Sequence, residues 1–261
     1  MPVYNEASNI EKVVLDWLAL IPAMPKGSLL EIEDANSKDG TRQILEQIEK
    51  KYSGIVNVSY RADRDGFSNS IARLIKNSKN ELLFIADSDG QYESSDIFHF
   101  LKRVNDEDSL VFVKGIKIWR NDGTVRKFYS RLINLYCSKL FRTEYLDLNS
   151  SHYLISKSLI NLICPAQTSI SNKLTQTKSV SNLSKISANL ENEMNHWTFH
   201  KLINIEISLR VVLSNFRYEK VYVKHYKRNS GPSRGHPSYR ILKDGLQAIQ
   251  DVKNLRREFF K

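Results

Sequence analysis

Cysteine is nearly absent: Cys137 and Cys164 are the only two in a chain of 261 residues. Two cysteines this far apart make neither a disulfide framework nor a metal-ligand spacing, and they suit a reducing compartment. Long apolar runs are absent too. No stretch approaches the roughly 18 residues that a membrane-spanning helix requires, and the first residues show no charged-then-apolar leader pattern. Any membrane contact is therefore expected to be peripheral. Zinc-finger spacings, an RNP-like aromatic motif and a long Lys/Arg run are all missing, which removes the usual signatures of nucleic-acid binding. Charge, in contrast, is unbalanced. Lys and Arg total 39 against 29 Asp and Glu, a formal net charge of +10. Such an excess attracts anionic partners, among them a nucleotide diphosphate, a lipid phosphate or an anionic membrane surface.

What the chain does contain is alternation, over a length that can bury a sizeable core. Leu29–Glu33, Val56–Tyr60, Leu82–Ala86 and Leu110–Lys114 read as strands. Helical patterns lie between them. Ile10, Val13, Val14, Trp17 and Leu18 follow a Ser8/Glu11 capping box. Ile44, Leu45 and Ile48 face inward on a helix capped by Asp39 and ending near Lys51. Ser68–Asn77 is a third helix, and Ile97, Phe98, Leu101 and Val104 form the face of a fourth that opens at Ser94–Asp96. Strand–helix alternation predicts an α/β fold with a mostly parallel sheet and flanking helices. After Gly115 the pattern changes. Val125–Phe141 reads as a long helix with Phe128, Leu132, Leu135 and Tyr136 on one side, and residues 166–192 as a polar loop. Trp197–Ser214 reads as a helix, Lys220–His225 as a strand and Tyr239–Phe260 as a basic amphipathic helix with Ile241, Leu242, Leu246, Ile249 and Val252 along one stripe. The expected organisation is one domain over residues 1–235, with a nucleotide-binding half (1–115) and an acceptor half (116–235), then the terminal helix (236–261).

Three segments carry chemistry. Asp87-Ser88-Asp89-Gly90-Gln91 directly follows the strand Leu82–Ala86. Acidic side chains at the C-terminal end of a buried strand sit where open α/β sheets bind ligands. Asp87, Asp89 and Gln91 alternate, so in an extended segment their oxygens share a face and suit Mg²⁺ or Mn²⁺. The same residue types also make ordinary acidic turns. Pro2-Val3-Tyr4-Asn5-Glu6 lies just before a helix N-terminus, where donors meet phosphates and Tyr4 offers a flat face to a base. Pro2 and Glu6 equally suit a plain loop leading into a helix. In Asp34-Ala35-Asn36-Ser37-Lys38-Asp39-Gly40-Thr41, Asp34 ends a strand and is placed to accept from a base or ribose, or simply to turn the chain.

Taken together, in this order and with these gaps, the segments resemble glycosyltransferase family 2, the GT-A fold. That family shows P-x-Y-N-E after its first strand, D-D-x-S-x-D-G-T after its second and D-x-D after its fourth. Asp147-Leu148-Asn149-Ser150-Ser151 is similar to the family's D-x-x-S-G segment, with Ser151 where glycine is usual. Arg228-Asn229-Ser230-Gly231-Pro232-Ser233-Arg234 is similar to R-x-x-G-x-S-K/R, a signature of the polyprenyl-phosphate branch that includes dolichol-phosphate mannose synthase. The resemblance implies inverting, metal-dependent transfer of a hexose from a nucleotide-sugar donor. It implies that Pro2, Tyr4, Glu6, Asp34, Asp87, Ser88 and Arg234 meet the donor. Asp87, Asp89 and Gln91 would hold Mg²⁺ or Mn²⁺. Asp89, Arg120, Glu206 and Arg228 would serve catalysis, and Asp147, Asn149 and Ser233 would face the acceptor. A polyprenyl-phosphate acceptor is already anionic and needs no general base. A glycan hydroxyl, as in polysaccharide synthesis, needs a carboxylate, for which Glu206 is the candidate. The implied place is the cytoplasm, at the inner face of the membrane, with no nucleic-acid partner. The sequence departs from the family pattern in three ways. It opens on the P-x-Y-N-E motif without the apolar strand that normally precedes it, so the first strand is expected to be missing and the sheet gapped. Asn-x-Gly survives only as Asp65-Gly66, and no C-terminal membrane helices follow. A noncatalytic binding module is the alternative those departures leave open.

Overall fold

The structure is a computed structural model that describes residues 1–105, 109–120, 124–144, 147–163, 202–228 and 238–259. Its strands form where the β-branched and apolar runs fall. β1 (Pro2–Val3), β2 (Leu30–Asp34) and β3 (Val56–Tyr60) make a parallel sheet in the order β1-β2-β3. The helices α1 (Ile10–Leu18) and α2 (Thr41–Lys51) connect them, because parallel neighbours need a crossover. After α3 (Phe67–Asn77) the chain enters a second sheet. It contains β4 (Leu82–Ile85), β5 (Phe112–Arg120), β6 (Tyr153–Ser156) and β7 (Glu219–His225), in the order β4-β6-β5-β7. β6 runs antiparallel to β4 and β5, whereas β5 and β7 are parallel. The remaining helices are α4 (Ile97–Leu101), α5 (Thr124–Phe141), α6 (Lys157–Ile163), α7 (Ile203–Leu213) and α8 (Ser238–Phe259).

The first strand is present in part. Pro2 pairs with Glu33 and Val3 with Asp34, while the Met1 ammonium donates to Glu31 O at 2.7 Å. The motif residues thus double as the strand's last turn of pairing. Among the described residues no ladder joins β1 to β4. A cleft of about 400 Å³ opens between β2 and β4, lined by Met1, Trp17, Leu30, Leu83, Ile85 and Leu154 among others. The expected gap in the sheet is therefore real but narrower than a whole missing strand.

Packing explains the other differences from the sequence pattern. The Ser8/Glu11 capping box does not form: Asn9 occupies the N-cap position of α1, and its Nδ2 donates to Glu6 Oε2 at 3.0 Å. Asp39 acts one residue before the N-cap of α2, with Oδ1 accepting from Thr41 N at 3.2 Å. β5 continues past Lys114 because β7 pairs with it as far as His225. On α5 three of the four residues of the expected apolar side, Phe128, Leu132 and Leu135, are exposed, while Tyr136 packs in part against the cluster of Cys137 and Phe141, which face the core. α7 is buried all round from Ile203 to Val211, as expected of a helix with apolar residues on most faces. Its Ile203, Ile207 and Val211 pack with Ile71, Phe112 and Leu159, while Ile205 and Leu209 pack with Cys137, Val252 and Leu255. Val252 of the terminal helix is therefore a core residue. The side chains of Ile241, Leu242 and Leu246, like residues 166–192, lie outside the described residues.

Gly115 is where the second sheet closes most tightly. Its N–H donates to His152 O at 2.8 Å, and a Cβ at this position would stand 2.5 Å from that oxygen and 3.2 Å from Phe100 Cζ. Gly115→Ala must push β5 away from β6. It is expected to lower the unfolding free energy by about 1–3 kcal/mol, measured by urea denaturation, whereas wild-type stability would show that the two strands separate without cost.

Candidate active site

The first two motifs build one rim. Asn5 and Asn36 adopt left-handed backbone angles, φ 53° and 62°, which asparagine tolerates better than most residues. Asn5 N donates to Ser37 Oγ at 2.8 Å, and Lys38 N donates back to Asn5 Oδ1 at 2.7 Å. Glu6 N donates to Thr41 Oγ1 at 2.8 Å, and that hydroxyl donates to Asp39 Oδ1 at 2.6 Å. Much of D-A-N-S-K-D-G-T is thus scaffolding for P-x-Y-N-E. Asp34 needs correction as a base or ribose contact. It is fully buried; Oδ1 accepts from Ser37 N at 3.1 Å and Oδ2 from Arg42 Nε at 3.0 Å. Pro2 is likewise buried in β1 and presents nothing to a ligand. Tyr4 remains accessible, with the Arg64 guanidinium 3.8 Å from its ring centroid. That stacked pair is a flat, cationic platform at the rim.

The acidic turn follows β4. Gly90 takes φ 69°, which an L side chain resists, and a Cβ there would come within 3.3 Å of Val13 Cγ2 on α1. Ser88 is buried. Gln91, the third metal candidate, has its Nε2 donating to Tyr226 O at 2.8 Å and its backbone carbonyl accepting from Tyr226 N at 2.8 Å, so it ties the turn to the end of β7. Asp89 Oδ1 accepts from Gln91 N at 3.1 Å. Ser151 donates its hydroxyl to Asp87 Oδ2, so the serine that replaces the family's glycine positions the first carboxylate. Glu6 is nearly buried and accepts from Arg228 and from Asn9 Nδ2. Burial first, and then the negative charge of Asp87, push the Asp89 carboxyl upward; Arg228 opposes and Glu6 adds to the rise. Glu6, Asp87, Asp89 and Arg228 therefore act on one another electrostatically.

Beneath the turn lies a layer built on the Asp147–Ser151 segment. Lys114 is fully buried, and its Nζ donates to Leu148 O at 3.2 Å and Ser150 O at 2.6 Å. It holds up the segment from which Ser151 reaches Asp87. Asp147, a sequence candidate for the acceptor side, is buried under that segment with Lys117 Nζ 3.9 Å from its Oδ2, whereas Asn149 is exposed. The His152 ring stacks on Tyr92 with centroids 4.2 Å apart. Burial, together with the cations around it, lowers His152 to about 3, so it stays neutral. Arg73 of α3 clamps Glu33 at 2.6 Å and Asp65 at 2.5 Å, joining the end of β2 to the loop before α3. None of Lys114, His152 or Arg73 was signalled by the sequence: Lys114 and Arg73 sit inside ordinary strand and helix patterns, and His152 only follows the Asp147–Ser151 segment.

Other candidates are not brought to this turn. Glu206 is fully buried on α7, with Oε1 accepting from Arg210 Nε at 2.8 Å. A paired, buried carboxylate is a poor proton acceptor for a substrate hydroxyl, which corrects its role as general base. Arg120 ends β5 opposite His225, but its side chain, and all of Ser233 and Arg234, lie outside the described residues.

Asp87 and Asp89 fit a divalent cation on donor chemistry. Among the described residues no group of three or more His, Cys, Asp or Glu side chains is placed to hold a metal. Mg²⁺ and Mn²⁺ at phosphate sites, however, commonly take only one or two carboxylates and draw the rest of their shell from phosphates and water. Burial and then the negative charge of Asp87 raise Asp89, and the charge repulsion is what a cation would relieve.

Lys114 gives the site a pH signature. Burial lowers its ammonium to about 7 from the ordinary 10.5, so the folded chain binds this proton less tightly than the unfolded chain. Between those values the unfolded state carries the extra proton, and unfolding free energy rises with pH. Urea titrations from about pH 7 to about pH 9.5 are expected to show that rise in wild type and a flatter profile in Lys114→Met. Equal slopes would assign the effect to another group.

Comparison with known proteins agrees with this geometry. The sequence model of Glycosyl transferase family 2 matches residues 1–161, well over half of the chain. Among solved structures, mannosyl-3-phosphoglycerate synthase from Rubrobacter xylanophilus superposes with a TM-score of 0.60 at 16% identity, covering 98% of this chain and 72% of that one. Glucosyl-3-phosphoglycerate synthase from Mycobacterium tuberculosis, in complex with Mn²⁺, uridine-diphosphate-glucose and phosphoglyceric acid, gives 0.61 at 14% identity, covering 96% and 76%. A mannosyltransferase from Pyrobaculum calidifontis, in complex with GDP-Man and Mn²⁺, gives 0.53 at 15% identity, covering 98% and 62%. At such identities the structural likeness speaks for the fold, and the family match speaks for descent. The chain belongs to glycosyltransferase family 2 and carries its GT-A-like α/β fold.

Proposed function

We propose that the protein is a metal-dependent, inverting glycosyltransferase that moves a hexose from a nucleoside-diphosphate sugar to a phosphate-bearing acceptor, with a polyprenyl phosphate as first choice. The observation that carries this reading is the meeting of Glu6, Asp87, Asp89 and Arg228 at the C-terminal end of β4. Tyr4 and Arg64 offer a stacking surface for the base. Asp87, oriented by Ser151, and Asp89 are the residues that would hold Mg²⁺ or Mn²⁺. When bound, the cation offsets the negative charge that develops on the departing diphosphate.

In the transfer, the bond from the anomeric carbon to the diphosphate oxygen breaks while an acceptor oxygen bonds to the opposite face of that carbon. Arg228 supplies a fixed cation beside Asp89 for the phosphate of donor or acceptor. A phosphate oxygen is anionic at neutral pH, so attack requires no proton acceptor. The pairing of Glu206 with Arg210 supports that choice, since it removes the candidate base for a hydroxyl acceptor. A small phosphorylated acid is the second reading. It is favoured by the fold of the Mycobacterium tuberculosis synthase, whose structure holds phosphoglyceric acid beside Mn²⁺ and a nucleotide sugar.

Calorimetric titration with UDP and GDP tests the donor half. Wild type is expected to bind one of them in Mn²⁺ and neither in EDTA, and Asp89→Ala to lose the metal-dependent binding while keeping its melting temperature. Equal affinity in Mn²⁺ and EDTA rejects the assignment. On the acceptor side, Arg228→Ala is expected to slow sugar transfer by at least about tenfold, as loss of a charge-assisted phosphate contact implies. The readout is labelled-sugar transfer to polyprenyl phosphate, 3-phosphoglycerate and a soluble glycan in parallel; unchanged transfer would remove Arg228 from the site.

A further inference from the structure

One face of α5 carries large exposed apolar side chains. Phe128, Leu132 and Leu135 are 64%, 50% and 42% exposed, and their spacing places all three on one helical face. Single exposed apolar residues are ordinary, but an aligned row of large ones marks a contact surface. The opposite side of α5 is already satisfied: Cys137 and Phe141 pack with Ile205 and Leu209 of α7 and with Val252 and Leu255 of α8. Lys127, Arg131 and Lys139 are exposed around the row, and exposed Arg142 follows directly. From Thr124 to Phe141 the helix contains no Asp or Glu. Among the described residues no helix is long and apolar enough to cross a membrane.

We infer that this face of α5 docks on an anionic lipid bilayer. A helix with an apolar row and a cationic fringe lies in the interface plane, its apolar side chains among the upper acyl chains and its cations at the lipid phosphates. Lys and Arg stems cover apolar surface while their charged ends reach the headgroups. A second copy of the chain fits less well. A two-fold contact through α5 would set Lys127, Arg131 and Lys139 against the same cations, with no carboxylate in either helix to offset them. Lys253, Arg256 and Arg257 of α8 are exposed and add positive charge, while Val252 and Leu255 of that helix are committed to the core. The inferred docking surface is therefore the apolar row of α5. This inference rests on the surface of α5 alone and holds whichever acceptor the active site takes.

The test is sedimentation of the full chain with vesicles of phosphatidylcholine alone or mixed with phosphatidylglycerol. Wild type is expected to sediment with the mixed vesicles at low salt, to release as salt rises, and to ignore pure phosphatidylcholine. The triple variant Phe128→Ser, Leu132→Ser, Leu135→Ser and the charge variant Arg131→Glu, Lys139→Glu are each expected to weaken partitioning at least about tenfold. Lys253→Glu, Arg256→Glu is expected to keep most of it. Unchanged melting curves confirm that the exposed positions tolerate these changes. In Phe128→Trp, tryptophan emission is expected to shift to the blue on adding mixed vesicles, as insertion requires. Wild-type protein that stays in solution with anionic vesicles at low salt overturns the inference, as does full binding by the triple variant. A wild-type dimer in sedimentation equilibrium that the triple variant dissociates also overturns it, because a second copy would then cover the row.

Discussion

Like charge crowded at one strand end is the constraint around which this molecule is arranged. Glu6 enters from the loop after β1, and Asp87 and Asp89 from the turn after β4. Together they concentrate negative charge in a partly buried place, where repulsion is weakly screened. The protein answers with Arg228 on Glu6, the Ser151 hydroxyl on Asp87 and the Gln91 N–H on Asp89. The first two of these contacts come from distant parts of the chain, so the final geometry of the acidic end depends on the second sheet being in place. The acidic end is thus a product of tertiary structure, although its residues are adjacent in sequence.

The rim around it is stabilised differently. The first two motifs exchange backbone and side-chain hydrogen bonds through Asn5, Ser37, Asp39 and Thr41, all at the ends of β1 and β2. Arg42 and Arg73 then neutralise Asp34 and Glu33, the two acids that end β2. Neither acid has a free face. A carboxylate buried with its partner orders a loop, whereas a carboxylate facing a like charge is held in a raised, unsettled state. That distinction separates Asp34 from Asp89 although both stand at strand ends. It rests on neighbours that arrive from α2, α3 and the far end of β7.

Local patterning made most of the fold legible. β3 has the bounds its residues suggest, and β2, β4, α2 and α3 fall within a residue or two, because period-2 and period-3.6 apolar patterns need no tertiary information. The acidic turn and the Tyr4 rim were legible for the same reason, since their residue types announce their chemistry. What escaped was whatever depends on a partner distant in sequence. The extent of β5 is set by β7, the burial of Asp34 by Arg42, and the orientation of Gln91 by Tyr226. Lys114 escaped because a lysine at the end of a strand pattern reads as a solvated charge. Here it is enclosed, and bonds to the carbonyls of Leu148 and Ser150 provide its polar contacts.

The case of α5 shows how a correct periodicity yields the wrong face. Phe128, Leu132 and Leu135 outweigh Ser130, Asn134 and Cys137 in hydrophobicity, so any amphipathic reading turns them inward. In the fold the smaller, more polar side is the inner one, because α7 and α8 need close approach there and Asn134 Oδ1 is required to accept from Leu148 N at 3.1 Å. That bond fixes the segment leading to Ser151, and through it the carboxylate of Asp87. The inner side of the helix thus serves both the packing of Cys137 and Phe141 against α7 and α8 and the placing of the acidic turn, while its row of Phe128, Leu132 and Leu135 stays on the surface.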